Sequence, residues 1–157
     1  MEIRRATAED AEAVLDCLRI AFEPYRAAYT PAAFDDTVPS SLQERLRSMI
    51  LFVAVERGAV IGTLACAIDD SREAHLRGMA VRPEWQGSGV AAGLIDAAES
   101  EMIARSCTRA TLDTTAPLKR AARFYEKCGY RRTGRTSDFF GMTLFEFAKT
   151  LKTRRTT

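Results

Sequence analysis

Apolar residues recur along the chain in two alternating rhythms. Ala11, Val14, Leu15, Leu18, Ala21 and Phe22 follow helical spacing, which predicts an amphipathic helix after a short strand at Glu2 to Arg5, with Thr7 as a candidate N-cap. Ser41 and Glu44 have capping-box spacing and open a short helix through Leu42, Leu46 and Met49. Leu51 to Glu56 and Val60 to Ile68 are β-rich runs separated by Arg57-Gly58, which reads as an antiparallel hairpin. Glu73 to Val81 is a third strand, stopped by Pro83, and Gly78 within it predicts a bulge or a close backbone approach. A helix follows from about Ser88 to Arg105, with Ala91, Leu94, Ile95, Ala98 and Met102 on one face. Arg109 to Thr114 reads as a strand, Leu118 to Cys128 as a helix stopped by Gly129, and Tyr130 to Thr133 and Phe139 to Ala148 as closing strands.

The element order is mixed α/β with a strand hairpin in its middle. One segment breaks the pattern. Pro24, Pro31 and Pro39 interrupt Glu23 to Ser40, so it reads as a long loop, the kind that is functional or mobile. It carries Tyr25, Tyr29, Phe34 and the pair Asp35-Asp36.

Composition narrows the field. A chain of 157 residues, 46% of them hydrophobic, fits one domain, expected over 1–148 with a basic tail over 149–157. Lys149, Lys152, Arg154 and Arg155 in that tail read as a solvated, frayed end. A formal charge of +2 makes nucleic acid an unpromising partner. Cys17, Cys66, Cys107 and Cys128 form no C-x-x-C pair and His75 is the lone histidine, so no metal site is expected. The longest apolar run, Met49 to Val55, is too short to span a bilayer and Met1 to Asp10 has no apolar leader core; no membrane association and a cytoplasmic, reducing location are expected.

The chemistry concentrates in Gln86-Gly87-Ser88-Gly89-Val90-Ala91, where a loop becomes a helix and several backbone N–H groups can point at one phosphate-sized spot. No Gly-Lys-Ser or Gly-Lys-Thr follows, which removes a P-loop. Gly87, Gly89 and Gly93, with Asp113 further on, loosely imitate a dinucleotide fingerprint, yet Arg82 to Gln86 separate the turn from its strand; a dinucleotide-binding protein stays as a minor alternative.

The stretch Val81-Arg82-Pro83-Glu84-Trp85-Gln86-Gly87-Ser88-Gly89-Val90-Ala91 resembles the acetyl-CoA signature of the GNAT acetyltransferase superfamily, with Gln86, Gly89 and Ala91 at its three defining positions. Ala121 to Tyr130 resembles the family's late helix, ending in a tyrosine, three residues, a glycine and an aromatic. The resemblance implies a central, mostly antiparallel sheet with one splayed parallel strand pair, flanked by about four helices. It also implies acetyl transfer from acetyl-CoA, without a metal, to a primary amine on a small molecule or peptide. A non-catalytic acyl-CoA sensor of the same fold is the other reading.

Residue by residue, the resemblance implies that the backbone of Met79, Ala80 and Val81 holds the pantetheine arm, that the N–H groups from Gln86 through Ala91 hold the pyrophosphate, and that Tyr125 protonates the departing thiolate. Leu118 stands where the family often has a pantetheine-binding asparagine, for which Thr114 or Thr115 are substitutes. A base is needed because an ammonium, with a pKa of about 10, has no lone pair to attack with. Glu73 and His75, in period-two register on one strand, are the candidates, with a water chain as the other route. Phe22, Tyr25 and Tyr29 are expected to wall the acceptor pocket, and Asp35-Asp36 is either an amine partner or a solvated turn. Phe139, Phe140, Phe145 and Phe147 on the closing strand raise the expectation of a homodimer interface.

Overall fold

A computed structural model describes residues 1–152. Its strands are β1 (Glu2–Arg5), β2 (Ile50–Glu56), β3 (Ala59–Ile68), β4 (Glu73–Val81), β5 (Arg109–Thr114), β6 (Arg131–Phe139) and β7 (Met142–Thr150). Its α-helices are α1 (Ala11–Phe22), α2 (Pro31–Thr37), α3 (Gln43–Ser48), α4 (Val90–Ala104) and α5 (Lys119–Lys127), one more than the expected four. The seven strands form one sheet in the order β1-β2-β3-β4-β5-β7-β6, antiparallel throughout except for the parallel pair β4–β5.

Both faces of the sheet are covered, which explains why β2 reads as an unbroken apolar run rather than an alternation. Ile50, Phe52 and Ala54 pack into one core with α4, Tyr125 and Tyr130. Leu51 and Val53 point the other way, into a second core with α1, Tyr29 and Phe34. Gly62 of β3 lets α4 sit close, because a Cβ there would meet Val90 Cγ1 at 2.7 Å and Leu94 Cδ1 at 3.1 Å. The first turn of α4 is thereby fixed against the sheet.

Thr7 caps a 3-10 turn at Ala8–Asp10 that feeds α1. Its N–H donates to Asp10 Oδ2 at 2.8 Å, and Arg4 Nη1 reaches the same oxygen at 2.9 Å. The Arg4 guanidinium, then the Thr7 N–H, hold the Asp10 carboxyl down at about 2, below the ordinary carboxylate value. A folded pKa below the unfolded one stabilises above the unfolded value and loses that contribution as pH falls through the folded one. Asp10→Asn should therefore be less stable than the wild type at neutral pH, and the gap should close between about pH 4 and pH 2. Urea denaturation across that window measures it, and a pH-independent gap would show that the ion pair is not its source.

The segment read as a loop is mostly helical. Pro24 lies in a 3-10 turn (Glu23–Ala28) and Pro31 is the first residue of α2, behind Thr30, whose side chain accepts from Ala33 N at 3.2 Å. The closing hairpin also differs. β6 runs on to Phe139 through a register shift between Arg132 and Thr136, and the turn is Phe140-Gly141. The tail begins later than residue 149, since Lys149 and Thr150 belong to β7, Leu151 is buried, and Lys149 Nζ bonds Glu99 Oε1 at 2.8 Å. Arg154 and Arg155 lie outside the described residues.

Candidate functional site

The parallel ladder between β4 and β5 is short. It runs from Glu73 beside Arg109 to Leu76 beside Leu112 and then stops, although β4 continues to Val81. On its other side β4 carries the bulge expected at Gly78: the register with β3 shifts between Thr63 and Ala65, and Gly78 has φ +66°. Beyond Leu76 the two strands splay, and a cavity of about 1080 Å³ occupies the opening.

That cavity joins the two sides of the sheet. On the α4–α5 side it is bounded by Met79, Val81, the glycine turn and Tyr125, while Ala80 between them turns its side chain to the second core. On the α1–α2 side it is bounded by Phe22, Tyr25, Tyr29 and Met49. The structure thus brings most of the expected residues to one space.

The turn does what small residues allow. Gln86, Gly87, Gly89, Val90 and Ala91 border the cavity, and Gly87 and Gly89 have φ of +80° and +88°. Gly89 is the N-cap of α4, so the unsatisfied N–H groups of its first turn lie at the cavity's mouth. Ser88 is different: its side chain is exposed, does not border the cavity and donates to Trp85 O. Three cations of α5, Arg120, Arg123 and Lys127, border the same mouth, and Arg120 Nη1 donates to Gln86 Oε1 at 3.3 Å. Their spacing on one helix was the available signal in the sequence, and it was overlooked.

Tyr125 is 8% exposed and its hydroxyl has no hydrogen-bond partner among the described residues. Burial pushes its ionisation above the ordinary tyrosine value. Leu118 and Thr114 border the cavity as well, whereas the Thr115 hydroxyl is engaged by Tyr29 at 2.7 Å.

The two candidate bases part company. Glu73 lies outside this cavity at the closed end of the strand pair, where Arg109 Nη1 holds its carboxylate at 2.9 Å. His75 is on the wall, its Nδ1 2.8 Å from Thr111 Oγ1 and its Nε2 3.4 Å from Asp113 Oδ2. Asp35 is exposed, while Asp36 turns in to pair with Arg77, which also lines the cavity.

The sequence profile of the Acetyltransferase (GNAT) family matches residues 14–130, most of the chain and all of this cavity's principal elements. This chain belongs to that family. N-acetylaspartate synthetase from Danio rerio is 34% identical over 95 residues, which is 59% of this chain and 34% of that protein. N-alpha-acetyltransferase 30 from Schizosaccharomyces pombe is 31% identical over 93 residues, 57% of this chain and 62% of that protein. The matched stretch spans less than two thirds of either relative. Among solved structures, the PaiA N-acetyltransferase of Thermoplasma acidophilum in complex with coenzyme A superposes with a TM-score of 0.79 at 19% identity, over 95% of this chain and 98% of that one. The fold expectation of a mostly antiparallel GNAT sheet with one parallel pair holds. The dinucleotide alternative falls with the family match, and the sheet agrees: β4–α4–β5 is its one parallel βαβ unit among the described residues, in a sheet otherwise antiparallel, where a dinucleotide fold builds on a mostly parallel one.

The aromatic closing strand supplies little surface. Phe147 is 1% exposed, Arg132 covers the Phe145 ring at 4.3 Å, and Phe139 packs against the second core, leaving only Phe140 of the four exposed. No helix among the described residues is long and apolar enough to cross a membrane.

Proposed function

We propose that this chain is an acetyl-CoA-dependent N-acetyltransferase that passes acetyl directly to a primary amine. The observation that carries the reading is the single cavity through the sheet, with a phosphate-type helix start at one mouth and an aromatic pocket at the other.

The residues present suit coenzyme A. The unpaired edge of β4 from Arg77 to Val81 offers backbone groups to an extended pantetheine arm, in the manner of an added strand. The N–H groups from Gln86 to Ala91, with Ser88 contributing only backbone, and the cations Arg120, Arg123 and Lys127 suit the phosphates. Thr114 takes the place of the asparagine that Leu118 displaces, since Thr115 is already occupied. When bound, acetyl-CoA supplies an acetyl thioester, whose transfer makes a C–N bond, breaks a C–S bond and releases a thiol.

His75 is the side chain placed to take the amine's proton, directly or through water, while Glu73 is tied to Arg109. Tyr125 supplies a proton to the departing sulfur; its burial keeps the phenol in the acid form that this requires. Phe22, Tyr25 and Tyr29 wall the acceptor. The four free cysteines, three of them buried, suit a reducing, cytoplasmic setting.

Calorimetric titration with acetyl-CoA, with a nicotinamide dinucleotide in parallel, tests the cofactor. Acetyl-CoA alone is expected to bind, and thiol release is expected once an amine is added. Failure to bind acetyl-CoA sinks the reading, and binding without thiol release across a broad set of amines leaves a sensor module instead.

A further inference from the structure

The acceptor side of the cavity holds charges of both signs that the transfer chemistry does not use. Arg77 lies two residues beyond His75 on β4, so both side chains share a face, with about 7 Å of strand between them. Arg77 Nη2 pairs with Asp36 Oδ2, and the guanidinium makes no other hydrogen bond among the described residues.

Behind this pair lies Arg45 of α3, only 7% exposed. Its Nη2 donates to the main-chain oxygen of Asp36 at 2.9 Å, and its Nη1 stands 3.1 Å from where a Cβ on Gly78 would be. No carboxylate among the described residues pairs with it directly. Burial, then the Arg77 charge, bring Arg45 down to about 10, against a weaker opposing pull from Asp36. Both guanidiniums therefore contact Asp36, Arg45 at its main-chain oxygen and Arg77 at its carboxylate, and the Arg77 side chain stays 37% exposed on the cavity wall.

A guanidinium with free donors is suited to a carboxylate, which it grips through paired hydrogen bonds. The neighbouring strand β5 presents the opposite sign: Asp113, one residue beyond the last paired position of the ladder, lines the same cavity beside His75 and is 27% exposed. The same space thus offers a cation and an anion.

Resting on the acetyltransferase reading, we infer that the acceptor is an amine bearing a carboxylate close to its nitrogen, an amino acid in chemical pattern, with Arg77 reading the carboxylate and Asp113 receiving the ammonium. Phe22 and Tyr25 then flank the remainder of the acceptor. A polyamine would leave the free donors of Arg77 without an anion, and a peptide N-terminus would place a neutral carbonyl there.

The test is thiol release from acetyl-CoA with a panel of L-amino acids, each paired with its own primary amide, plus spermidine and a dipeptide. The amino acid should exceed its amide in kcat/KM by roughly tenfold or more, as loss of a charge-assisted hydrogen bond implies. Arg77→Gln should bring that ratio close to one. Asp36→Asn, which frees Arg77, should keep or widen it. If Arg77→Gln does not fold, the wild-type and Asp36→Asn ratios still decide. Amides or spermidine acetylated as well as the free acids overturn the inference, as does a ratio unmoved in Arg77→Gln or a panel with no substrate while acetyl-CoA still binds. Absence of acetyl-CoA binding in the titration removes the parent reading, and this inference with it.

Discussion

Tyr125→Phe is expected to lower kcat by about 100-fold, the scale of a lost general acid, while the melting temperature barely moves. The unusual half of that pair is the second. A buried tyrosine hydroxyl ordinarily has a partner whose loss costs stability, but that of Tyr125 has none among the described residues and borders the cavity instead. Tyr130 is the internal control: it is fully buried and its hydroxyl donates to Glu99 Oε2 at 2.8 Å. Tyr130→Phe should therefore cost about 1.5 kcal/mol or more of stability, with little change in kcat. Steady-state kinetics and thermal denaturation of both variants separate a proton donor from a packing residue, and an unchanged kcat in Tyr125→Phe assigns Tyr125 to packing. The pH profile adds a sign. Burial raises the Tyr125 ionisation, so the acid form persists at every pH below the ordinary tyrosine value of about 10. The wild-type kcat/KM should rise with pH as the amine loses its proton and show no falling limb below about pH 10. A falling limb near pH 8 would point to a different acid.

What could be read in advance follows from the range of the forces involved. The β2–β3 hairpin was legible because its cue, Arg57-Gly58, is local, and the bulge was legible because one glycine interrupts β4. The segment from Glu23 to Ser40 was misread because proline is both a helix breaker and a preferred first helical residue; Thr30 before Pro31 was the cue that tells the two apart. β6 runs past the expected end at Thr133 because Gly134, with φ +88°, sits in a register irregularity inside the strand, which alternation alone does not reveal. The same distinction of range governs the site. Gln86, Gly89, Ala91 and Tyr125 belong to contiguous motifs and were legible. Asp36 and Arg77 are 41 positions apart and meet only because α2 folds over β4. Alternation placed Glu73 and His75 on one face, but which of them reaches the acyl site depends on where the ladder opens, and Leu76 with Leu112 marks that point only in three dimensions.

Gly89→Val is expected to weaken acetyl-CoA binding by about tenfold or more, because it strains the backbone position from which α4 starts at the phosphate mouth. Gly89 has φ +88° and ψ 3°, a left-handed conformation that a β-branched residue adopts only at a cost of order 1–3 kcal/mol. No atom lies within 4 Å of a Cβ built there, so the cost is in the backbone and not in a clash. The turn can relieve it only by rotating the peptides that start α4, which are the ones whose N–H groups face the cavity. Strain alone would lower stability without touching affinity, and the chain contains the control that isolates it. Gly58, in the β2–β3 turn, has φ +79° and equally open surroundings, yet lies away from the cavity. Gly58→Val and Gly89→Val should lose comparable stability in thermal denaturation, while calorimetric titration with acetyl-CoA finds the affinity loss in Gly89→Val alone. Equal affinity in the two variants would mean that the phosphates are held by the α5 cations and that the glycine turn serves the fold alone.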